Sequence, residues 1–394
     1  MRSTVRRGAA AAAAAVLSVF GLSTAVSAAP PEAAVLAVPG AEVVPDSYIV
    51  VLKPGKVARA VAAEHDTAAL RTYTKAFNGF AATMTARQAR QVAADSDVAF
   101  VQPNVIHRIS DTQTNPPSYG LDRIDQRNRP VNAAYTYTTT ASNVRAYVID
   151  TGIRTTHQDF GGRATSGFDA VDGGTADDCN GHGTHVAGTV GGTSYGVAKQ
   201  VQLVAVRVLS CEGSGTTAQV AAGIEWVTAN AVKPAVANMS LGGGADTVLD
   251  NAVRASITSG VSYAIAAGNG FLGLFALDAC TQSPARVATA ITVSATNSSD
   301  AKPSWANRGT CVDVFAPGIS IPSTWNTNDT ATNTISGTSM AAPHVAGAAA
   351  LYLATHPSDT PAQVHAAIVN TATPSVVTSP GSGSPNRLLY TAAL

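Results

Sequence analysis

One serine, Ser339, stands where a nucleophile would lie at the start of a helix. It belongs to the run 337–343 (Gly-Thr-Ser-Met-Ala-Ala-Pro), which precedes an apolar stretch that continues to Ala350. We predict that Ser339 lies on the first turn of a buried helix. Pro343 is expected on the same turn, because the N–H groups of the first turn have no acceptor within the helix, so a proline there loses no hydrogen bond. Backbone N–H groups at such a terminus would stabilise an oxyanion. Taken alone, Gly-Thr-Ser also fits an ordinary helix N-cap.

Two upstream segments supply partners for this serine. An apolar, β-branched run from Val144 ends in Asp150 and predicts a central parallel strand, whose carboxyl end is where catalytic groups lie. The segment 180–188 places His182 between two glycines at the start of a small-residue helix. The chain order Asp150, His182, Ser339 is one of the known orders of the serine triad, and it differs from those of chymotrypsin and the α/β-hydrolases.

Six motifs occur in the order found in subtilisin-like serine proteases, which the chain therefore resembles from about Tyr119 to its C-terminus. The likeness is strongest to the proteinase K branch and to aqualysin-like secreted bacterial enzymes. The motifs are Gly-Leu-Asp-Arg-Ile-Asp (120–125), Tyr-Val-Ile-Asp-Thr-Gly-Ile (147–153), Asn-Gly-His-Gly-Thr-His-Val-Ala-Gly (180–188), Asn-Met-Ser-Leu-Gly-Gly (238–243), Ala-Ala-Gly-Asn (266–269) and Gly-Thr-Ser-Met-Ala (337–341).

The residue types suit acyl transfer. A serine hydroxyl is a weak nucleophile, so Ser339 needs His182 as a base, and His182 later protonates the leaving amine. Asp150 would orient the imidazole and stabilise its cation. The resemblance implies that the Asn269 side chain donates to the oxyanion beside the Ser339 amide; by itself, Asn269 would be a turn asparagine.

The resemblance also implies where a substrate would bind. Two segments are expected to pair with an extended peptide: Gly213, Ser214 and Gly215, and Ser240, Leu241 and Gly242. The second segment, with Ala266, Ala267 and Gly268, would wall the pocket for the residue before the scissile bond. Small apolar walls without charge favour broad specificity with a preference for aromatic or large aliphatic residues. Alternatively, these glycines only serve turns.

Three other motif matches are weaker. His182 and His185 have His-x-x-His spacing, which can indicate zinc. There is no glutamate between them and no clear third ligand, so a catalytic metal is not expected. The Asp-Thr-Gly at Asp150 has no second copy to complete an aspartic-protease pair. The Gly-x-Ser-x-Gly at 192–196 follows a predicted helix instead of a strand, so it is predicted to be a loop.

The amino-acid composition limits the classes of protein to which the chain can belong. The chain has 394 residues, 45% hydrophobic and 13% charged, which suits one main domain with additional segments and an ample core. Its formal net charge is +0, so neither nucleic acid nor an anionic membrane is an expected partner. We also expect a monomer.

The N-terminal segment 1–29 is predicted to be a secretory signal peptide. Arginines precede an apolar stretch at about 9–26, and Ser27-Ala28-Ala29 supplies a cleavage site. A membrane anchor is the alternative, which the short, alanine-rich run disfavours. We therefore expect an extracellular enzyme without membrane association after cleavage.

The four cysteines fit an oxidising compartment. Three pairings of four cysteines are possible. A zinc site is the rival, but no Cys-x-x-Cys pair occurs. The resemblance to aqualysin-like enzymes implies Cys179–Cys211 and Cys280–Cys311.

Residues 30–110 are predicted to be a propeptide with an α+β core at about 46–109. The predicted elements are strands at 47–52, 76–84 and 98–105, a helix at 57–70 and a second helix that begins after Thr85, with Gln88 completing a capping box. The unit resembles the subtilase propeptide, an inhibitor and intramolecular folding chaperone; an unrelated small domain is the alternative. Self-cleavage is expected between about 109 and 112.

The remaining residues, 111–394, are predicted to form one α/β peptidase domain. Strands and helices alternate from Tyr119, which indicates a doubly wound, mostly parallel sheet with helices on both faces.

The resemblance implies a structural calcium ion. Asp313 matches the carboxylate of the family's site, with backbone carbonyls of Ala288 and Ala290. A lone aspartate is also a common surface charge.

One segment departs from the family. Residues 270–279 are apolar and longer than the corresponding loop of related enzymes. This insertion would form a hydrophobic leaving-group subsite, dock a partner, or be buried without a role.

Together these features predict a secreted serine endopeptidase that acts on polypeptides and is made as a self-cleaving zymogen inhibited by its own propeptide. The rival hypothesis is a catalytically inactive subtilase fold that binds peptides. A lipase or esterase is disfavoured by the triad order.

Overall fold

The computed structural model of the chain describes residues 30–38, 43–105, 111–270 and 273–394. The chain folds as two compact units, 1–106 and 107–394. The predicted signal peptide 1–29 lies outside the described residues, as do residues 109 and 110 of the predicted processing region at 109–112.

The first unit is a small antiparallel sheet with two helices. Its elements are β1 (Val43–Leu52), α1 (Ala58–Glu64), β2 (Arg71–Tyr73), β3 (Gly79–Thr83), α2 (Ala86–Ala93) and β4 (Val98–Val105). The strand order is β2-β3-β1-β4. Thr85 and Gln88 form the capping box that the sequence predicts before α2.

The helix predicted at 57–70 is wrong in its second half. The helix α1 ends at Glu64, and Asp66 adopts a left-handed backbone conformation with φ 50°, which is typical of a turn and not of a helix interior. The chain then becomes extended, with Leu70 N donating to Ala81 O. Pairing with β3 therefore outweighs the local helical pattern.

The second unit contains fifteen strands among its described residues. They are β5 (Asp111–Thr114), β6 (Ala134–Tyr137), β7 (Arg145–Asp150), β8 (Ala164–Asp169), β9 (Gln202–Arg207), β10 (Ala235–Met239), β11 (Gly243–Gly244), β12 (Ser262–Ala266), β13 (Gln282–Ser283), β14 (Ile291–Thr296), β15 (Val314–Pro317), β16 (Ile321–Thr324), β17 (Thr332–Ile335), β18 (Thr373–Pro374) and β19 (Arg387–Leu388). Nine of them form the main sheet, in the order β18-β19-β15-β14-β12-β10-β7-β9-β8. Its pairs are parallel except β18 with β19.

Helices cover both faces of this sheet. They are α3 (Tyr119–Ile124), α4 (His182–Gly191), α5 (Thr217–Asn230), α6 (Thr247–Thr258), α7 (Thr338–Thr355) and α8 (Pro361–Thr371). Alternate residues of β7 face opposite layers: Ala146 and Val148 belong to the core that includes α4 and α7, whereas Tyr147 and Ile149 belong to the core that includes α5 and α6. The predicted doubly wound fold is confirmed.

The strand order reverses next to β7. The chain continues from β7 to β8 and β9 on one side, and reaches β10 and β12 on the other. Ligand sites of open α/β sheets lie at the carboxyl ends of the strands at such a switch point. In the described part of the chain, no helix has both the length and the apolar character needed to cross a membrane.

Candidate active site

Asp150 and His182 meet at the carboxyl end of β7. His182 begins α4, and its Nδ1 lies 2.7 Å from Asp150 Oδ1. Asp150 is fully buried, and the His182 side chain is 26% exposed. Burial lowers the pKa of His182, but the charges of Asp150 and Asp178 and the hydrogen bond to Asp150 outweigh it, so the net pKa is raised.

Asp178 holds the start of α4 in place. Its Oδ1 accepts hydrogen bonds from Asn180 N, Gly181 N and Thr151 Oγ1, each at 2.9 Å. Its Oδ2 accepts from the amide and the hydroxyl of Thr184. One carboxylate therefore joins the segment after Asp150 to the turn that carries His182.

Ser339 is the second residue of α7 and is half-buried. Its hydroxyl donates to Ser240 O at 3.1 Å, and the structure shows no hydrogen bond from this described residue to His182. In return, Ser240 Oγ donates to Ser339 O at 2.7 Å. Ser240 Oγ also accepts from Asn238 Nδ2 at 2.9 Å.

The predicted position of Pro343 in the first turn is wrong. The helix α7 begins at Thr338, so Pro343 lies in its second turn, inside the helix. A proline there cannot donate to the carbonyl four residues earlier, which is that of Ser339. The hydroxyl of Ser240 satisfies this carbonyl, and the helix continues.

Asn269 lies beside the amide of Ser339. Its Oδ1 accepts hydrogen bonds from Thr338 N and Thr338 Oγ1, both at 2.9 Å. The NH₂ group of Asn269 therefore points away from Thr338 and is free to donate elsewhere. A Cβ built on Gly337 would lie 3.4 Å from Asn269 Nδ2 and 3.5 Å from Ser339 N. These two donors thus border the same small space, as an oxyanion site requires.

A cleft of ≈ 690 Å³ joins these residues to the predicted substrate segments. Its lining includes His182, Ser339 and Asn269. It also includes all of the residues predicted for substrate binding: Gly213, Ser214, Gly215, Ser240, Leu241, Gly242, Ala266, Ala267 and Gly268. The Asp246 side chain, which the sequence analysis did not consider, lines the cleft as well, and its carboxylate caps α6 by accepting from Val248 N and Leu249 N.

Two disulfides flank the site, and they join the pairs that the resemblance implies. Cys179–Cys211 ties the turn before His182 to the segment before Gly213. Cys280–Cys311 ties the end of the insertion to the segment before β15. The cleft lining includes Asn180, next to Cys179, and Gly213, two residues after Cys211, so the first bond holds these two lining segments together.

His185 and the predicted calcium residues lie outside the cleft lining. His185 is fully buried, its Nε2 lies 2.9 Å from Ile321 O, and burial lowers its pKa to about 4. Asp313 Oδ2 accepts from Thr292 N, and Asp313 Oδ1 lies 3.4 Å from His365 Nε2. The described residues contain no group of three or more His, Cys, Asp or Glu side chains arranged to hold a metal ion.

Comparison with known proteins decides the family. Residues 142–388 match the model of the subtilase family of peptidases, and residues 47–110 match that of peptidase inhibitor I9. The chain belongs to the subtilase family. This subtilase is a serine protease that carries an inhibitor-type propeptide, as a zymogen does.

Similar proteins of known name support this assignment to the subtilase family. The subtilase is 55% identical over 322 residues to an extracellular serine proteinase of a Thermus species, covering 82% of this chain and 77% of the other. It is 51% identical over 324 residues to alkaline serine exoprotease A of Vibrio alginolyticus, covering 81% and 59%. A solved structure of a cold adapted subtilisin-like serine proteinase matches 69% of this chain and 97% of its own, with 54% identity and a TM-score of 0.67.

Sequence reasoning missed two supporting residues of this subtilase. Thr338 orients Asn269, and Asp178 fixes the turn of His182. Asp178 had a visible signal, because an acidic residue two positions before Asn-Gly-His suits a helix N-terminus. Thr338 had none, because its partner lies 69 residues away in the chain.

Proposed function

We propose that this subtilase is a secreted endopeptidase of broad specificity that cleaves peptide bonds through an acyl-enzyme. Asp150, His182 and Ser339 are its triad, and Asn269 is its oxyanion donor. The observation that carries the proposal is the meeting of the Asp150–His182 pair, Ser339 and Asn269 at one cleft. An inactive peptide-binding protein has no comparable support, because all four groups are present.

The proposed reaction begins when Ser339 Oγ attacks the scissile carbonyl and its proton passes to His182 Nε2. Asp150 holds Nδ1–H and stabilises the imidazolium. Asn269 Nδ2 and Ser339 N donate to the oxyanion of the tetrahedral intermediate. His182 then protonates the leaving amine, and water repeats the sequence to release the acyl group.

The walls of the cleft support the proposed specificity. Ala266, Ala267 and Gly268 line the cleft with no side chain larger than a methyl group, so this wall is small and apolar. Asp246 also lines the cleft, but its carboxylate already accepts hydrogen bonds from Val248 N of α6 and from Thr217 Oγ1. We therefore expect a preference for aromatic or large aliphatic residues before the scissile bond.

We further propose that residues 1–29 are a signal peptide and that residues 30–110 are a propeptide that the enzyme removes itself. The I9 match at 47–110 and the pairing of β5 with β6 inside the second unit support a boundary near residue 110. The freed propeptide tail would bind the cleft as an added strand and inhibit the enzyme until it is degraded.

We also propose a structural calcium ion held by Asp313 and the carbonyls of Ala288 and Ala290. The main chains of Asp313 and Thr292 are joined by a hydrogen bond from Asp313 N to Thr292 O at 2.9 Å. Thr292 N also donates to Asp313 Oδ2 at 2.8 Å, so the carboxylate lies beside the segment that follows both carbonyls, which supports the proposal. Such oxygen ligands suit calcium, which would tie this segment to β15 and its neighbours.

The test compares secreted wild-type protein with Ser339→Ala. Mass spectrometry should show loss of about residues 1–110 in the wild type only. Casein hydrolysis should be present in the wild type, blocked by a serine-directed acylating inhibitor and absent in Ser339→Ala. A folded wild type that stays unprocessed and inert would overturn the proposal.

A further inference from the structure

The hairpin formed by β16 and β17, residues 321–335, leads directly to the proposed nucleophile. Its two strands are antiparallel, with Ile321 opposite Ile335. Only two residues separate Ile335 from Thr338, where α7 begins. The position of the hairpin is therefore coupled through the chain to the position of Ser339 on the first turn of α7.

The first strand of this hairpin is also bonded to α4, the helix of the proposed base. Ser323 Oγ donates to His185 O at 2.8 Å. Thr324 Oγ1 donates to Thr184 O at 2.8 Å. Both hydroxyl-bearing residues are fully buried. A Cβ built on Gly188 of α4 would lie 2.3 Å from each of the two hydroxyl oxygens, so the strand and the helix are in close contact.

The loop between the two strands contacts the segment that follows Asp150. Asp329 Oδ1 accepts hydrogen bonds from Arg154 Nε at 2.7 Å and from Thr156 Oγ1 at 2.6 Å. Arg154 Nη1 also donates to Asn326 O at 3.1 Å. The hairpin therefore joins all three segments that carry the proposed triad.

Trp325 lies against the turn that precedes His182. A Cβ built on Gly181 would lie 2.3 Å, 2.4 Å and 2.7 Å from three carbon atoms of the Trp325 indole. Gly181 also has φ 109°, so only a glycine suits both the turn and the close approach of the indole. The rings of Trp325 and His185 meet edge to face, with centroids 6.2 Å apart. The indole thus contacts the residues one position before and three positions after His182.

Trp325 is itself held by the loop. Its N–H donates to Ala331 O at 2.7 Å, which closes the loop. The next residue, Asn326, donates through Nδ2 to Asp178 O at 3.1 Å, and Asp178 is the residue whose carboxylate fixes the turn of His182. Of the described residues that line the cleft, His182 is one and Trp325 is not. The indole is therefore placed to act on His182 and not on a bound substrate.

We propose that Trp325 is a positioning residue that keeps His182 aligned between Asp150 and Ser339. This inference rests on the proposed function. The imidazole must present Nε2 to the Ser339 hydroxyl while Nδ1 stays bonded to Asp150. Gly181 has no side chain to restrain this turn, and the indole supplies the missing contact. A small displacement of a catalytic group lowers the rate of the chemical step, because the reacting atoms lose their alignment.

The test compares Trp325→Leu and Trp325→Phe with the wild type on one peptide anilide substrate. Titration with a serine-directed acylating inhibitor counts the competent active sites, so unfolded enzyme does not lower the measured kcat. Trp325→Leu should lower kcat by about 30- to 100-fold, with KM within about twofold of the wild-type value. Trp325→Phe should lower kcat by about 3- to 10-fold, because a phenyl ring lacks the outer-ring atoms of the indole that contact Gly181.

Trp226→Leu is the matched control for the loss of a partly buried indole. Trp226 belongs to α5 and stacks on Phe168, with ring centroids 6.0 Å apart. It packs against the core on the other face of the sheet from α4 and α7. Its replacement should lower the stability of the fold and leave kcat and KM per competent site unchanged.

The outcomes separate the two hypotheses. Absence of anilide hydrolysis in the wild type would mean that the proposed function fails. With an active wild type, three results would overturn the positioning role: a wild-type kcat in Trp325→Phe, an equal loss of kcat in Trp226→Leu, or a raised KM with unchanged kcat in the Trp325 variants. The Trp325→Phe result decides the matter where Trp325→Leu does not fold.

Discussion

Ser240 and Ser339 exchange hydrogen bonds in both directions. The hydroxyl of each residue donates to the main-chain oxygen of the other, at 2.7 Å from Ser240 and 3.1 Å from Ser339. The first bond satisfies the carbonyl that Pro343 leaves without a helical donor. The residue that walls the cleft therefore also supports the turn that carries the proposed nucleophile.

Ser240→Ala should destabilise this turn. The carbonyl of Ser339 and the side-chain amide of the buried Asn238 would both lose a partner, which should lower the free energy of unfolding by about 1–3 kcal/mol. Thermal and denaturant unfolding in a Ser339→Ala background would measure this without autolysis. Ser214→Ala, an exposed serine in the same cleft, is the control; equal stability of the two variants would contradict the argument.

Asp150→Asn should change both the rate and its pH dependence. We expect kcat to fall by about 10⁴-fold, because an asparagine no longer holds the imidazole in the tautomer that can accept the proton of Ser339. His182 must be neutral to act as a base, so activity falls as pH drops through its raised pKa. Without Asp150, that pKa falls, and the acidic limb of kcat/KM against pH should move to lower pH.

Asp246→Asn is the control for this profile. Its carboxylate also lines the cleft, but it bonds to α6 and Thr217. The acidic limb of kcat/KM against pH for Asp246→Asn should match that of the wild type. A limb that stays in place in Asp150→Asn would show that another group governs the profile.

Thr338→Val should act through Asn269. The change removes one of the two hydrogen bonds to Asn269 Oδ1 and the acceptor of Gly268 N. We expect kcat to fall by about 10-fold with little change in KM, against about 100- to 1,000-fold for Asn269→Ala. The double variant should be no slower than Asn269→Ala alone; additive losses would show that Thr338 acts independently.

Asp178→Asn should loosen the turn before α4. An asparagine offers one acceptor oxygen, whereas Asp178 accepts five hydrogen bonds with two oxygens. We expect the free energy of unfolding to fall by about 1–3 kcal/mol. The charge of Asp178 also raises the pKa of His182, so the acidic limb of kcat/KM should shift to lower pH. Lost stability with an unchanged limb would indicate a purely structural role.

Local patterns predicted the elements that carry the proposed chemistry. A buried strand that ends in Asp150, a glycine-flanked His182 and a small-residue helix after Ser339 are each visible in a few consecutive residues. The doubly wound fold follows because strands and helices alternate. Short strands such as β15 and β18 could not be predicted individually, because few residues in each carry a strand pattern.

Contacts between distant segments could not be predicted in this way. The position of Pro343 depends on where α7 begins, and the carbonyl it frees is satisfied by Ser240, 99 residues away. The hydrogen bond of Thr338 to Asn269 and that of Leu277 in the insertion to Asn307 likewise join segments that are far apart in the chain. Only the packed sheet brings these groups together.

Removal of calcium should lower the stability of the peptidase unit. An ion that binds only the folded state stabilises it by about 2.7 kcal/mol when its concentration is 100 times the dissociation constant. We expect chelation to lower the unfolding temperature in a Ser339→Ala background, and added calcium to restore it. Asp313→Asn should abolish most of this response, whereas Asp359→Asn, a carboxylate bonded to Tyr352, should keep it. An unfolding temperature that does not respond to calcium or chelator would rule out the proposed ion, and a full response in Asp313→Asn would place the ion elsewhere.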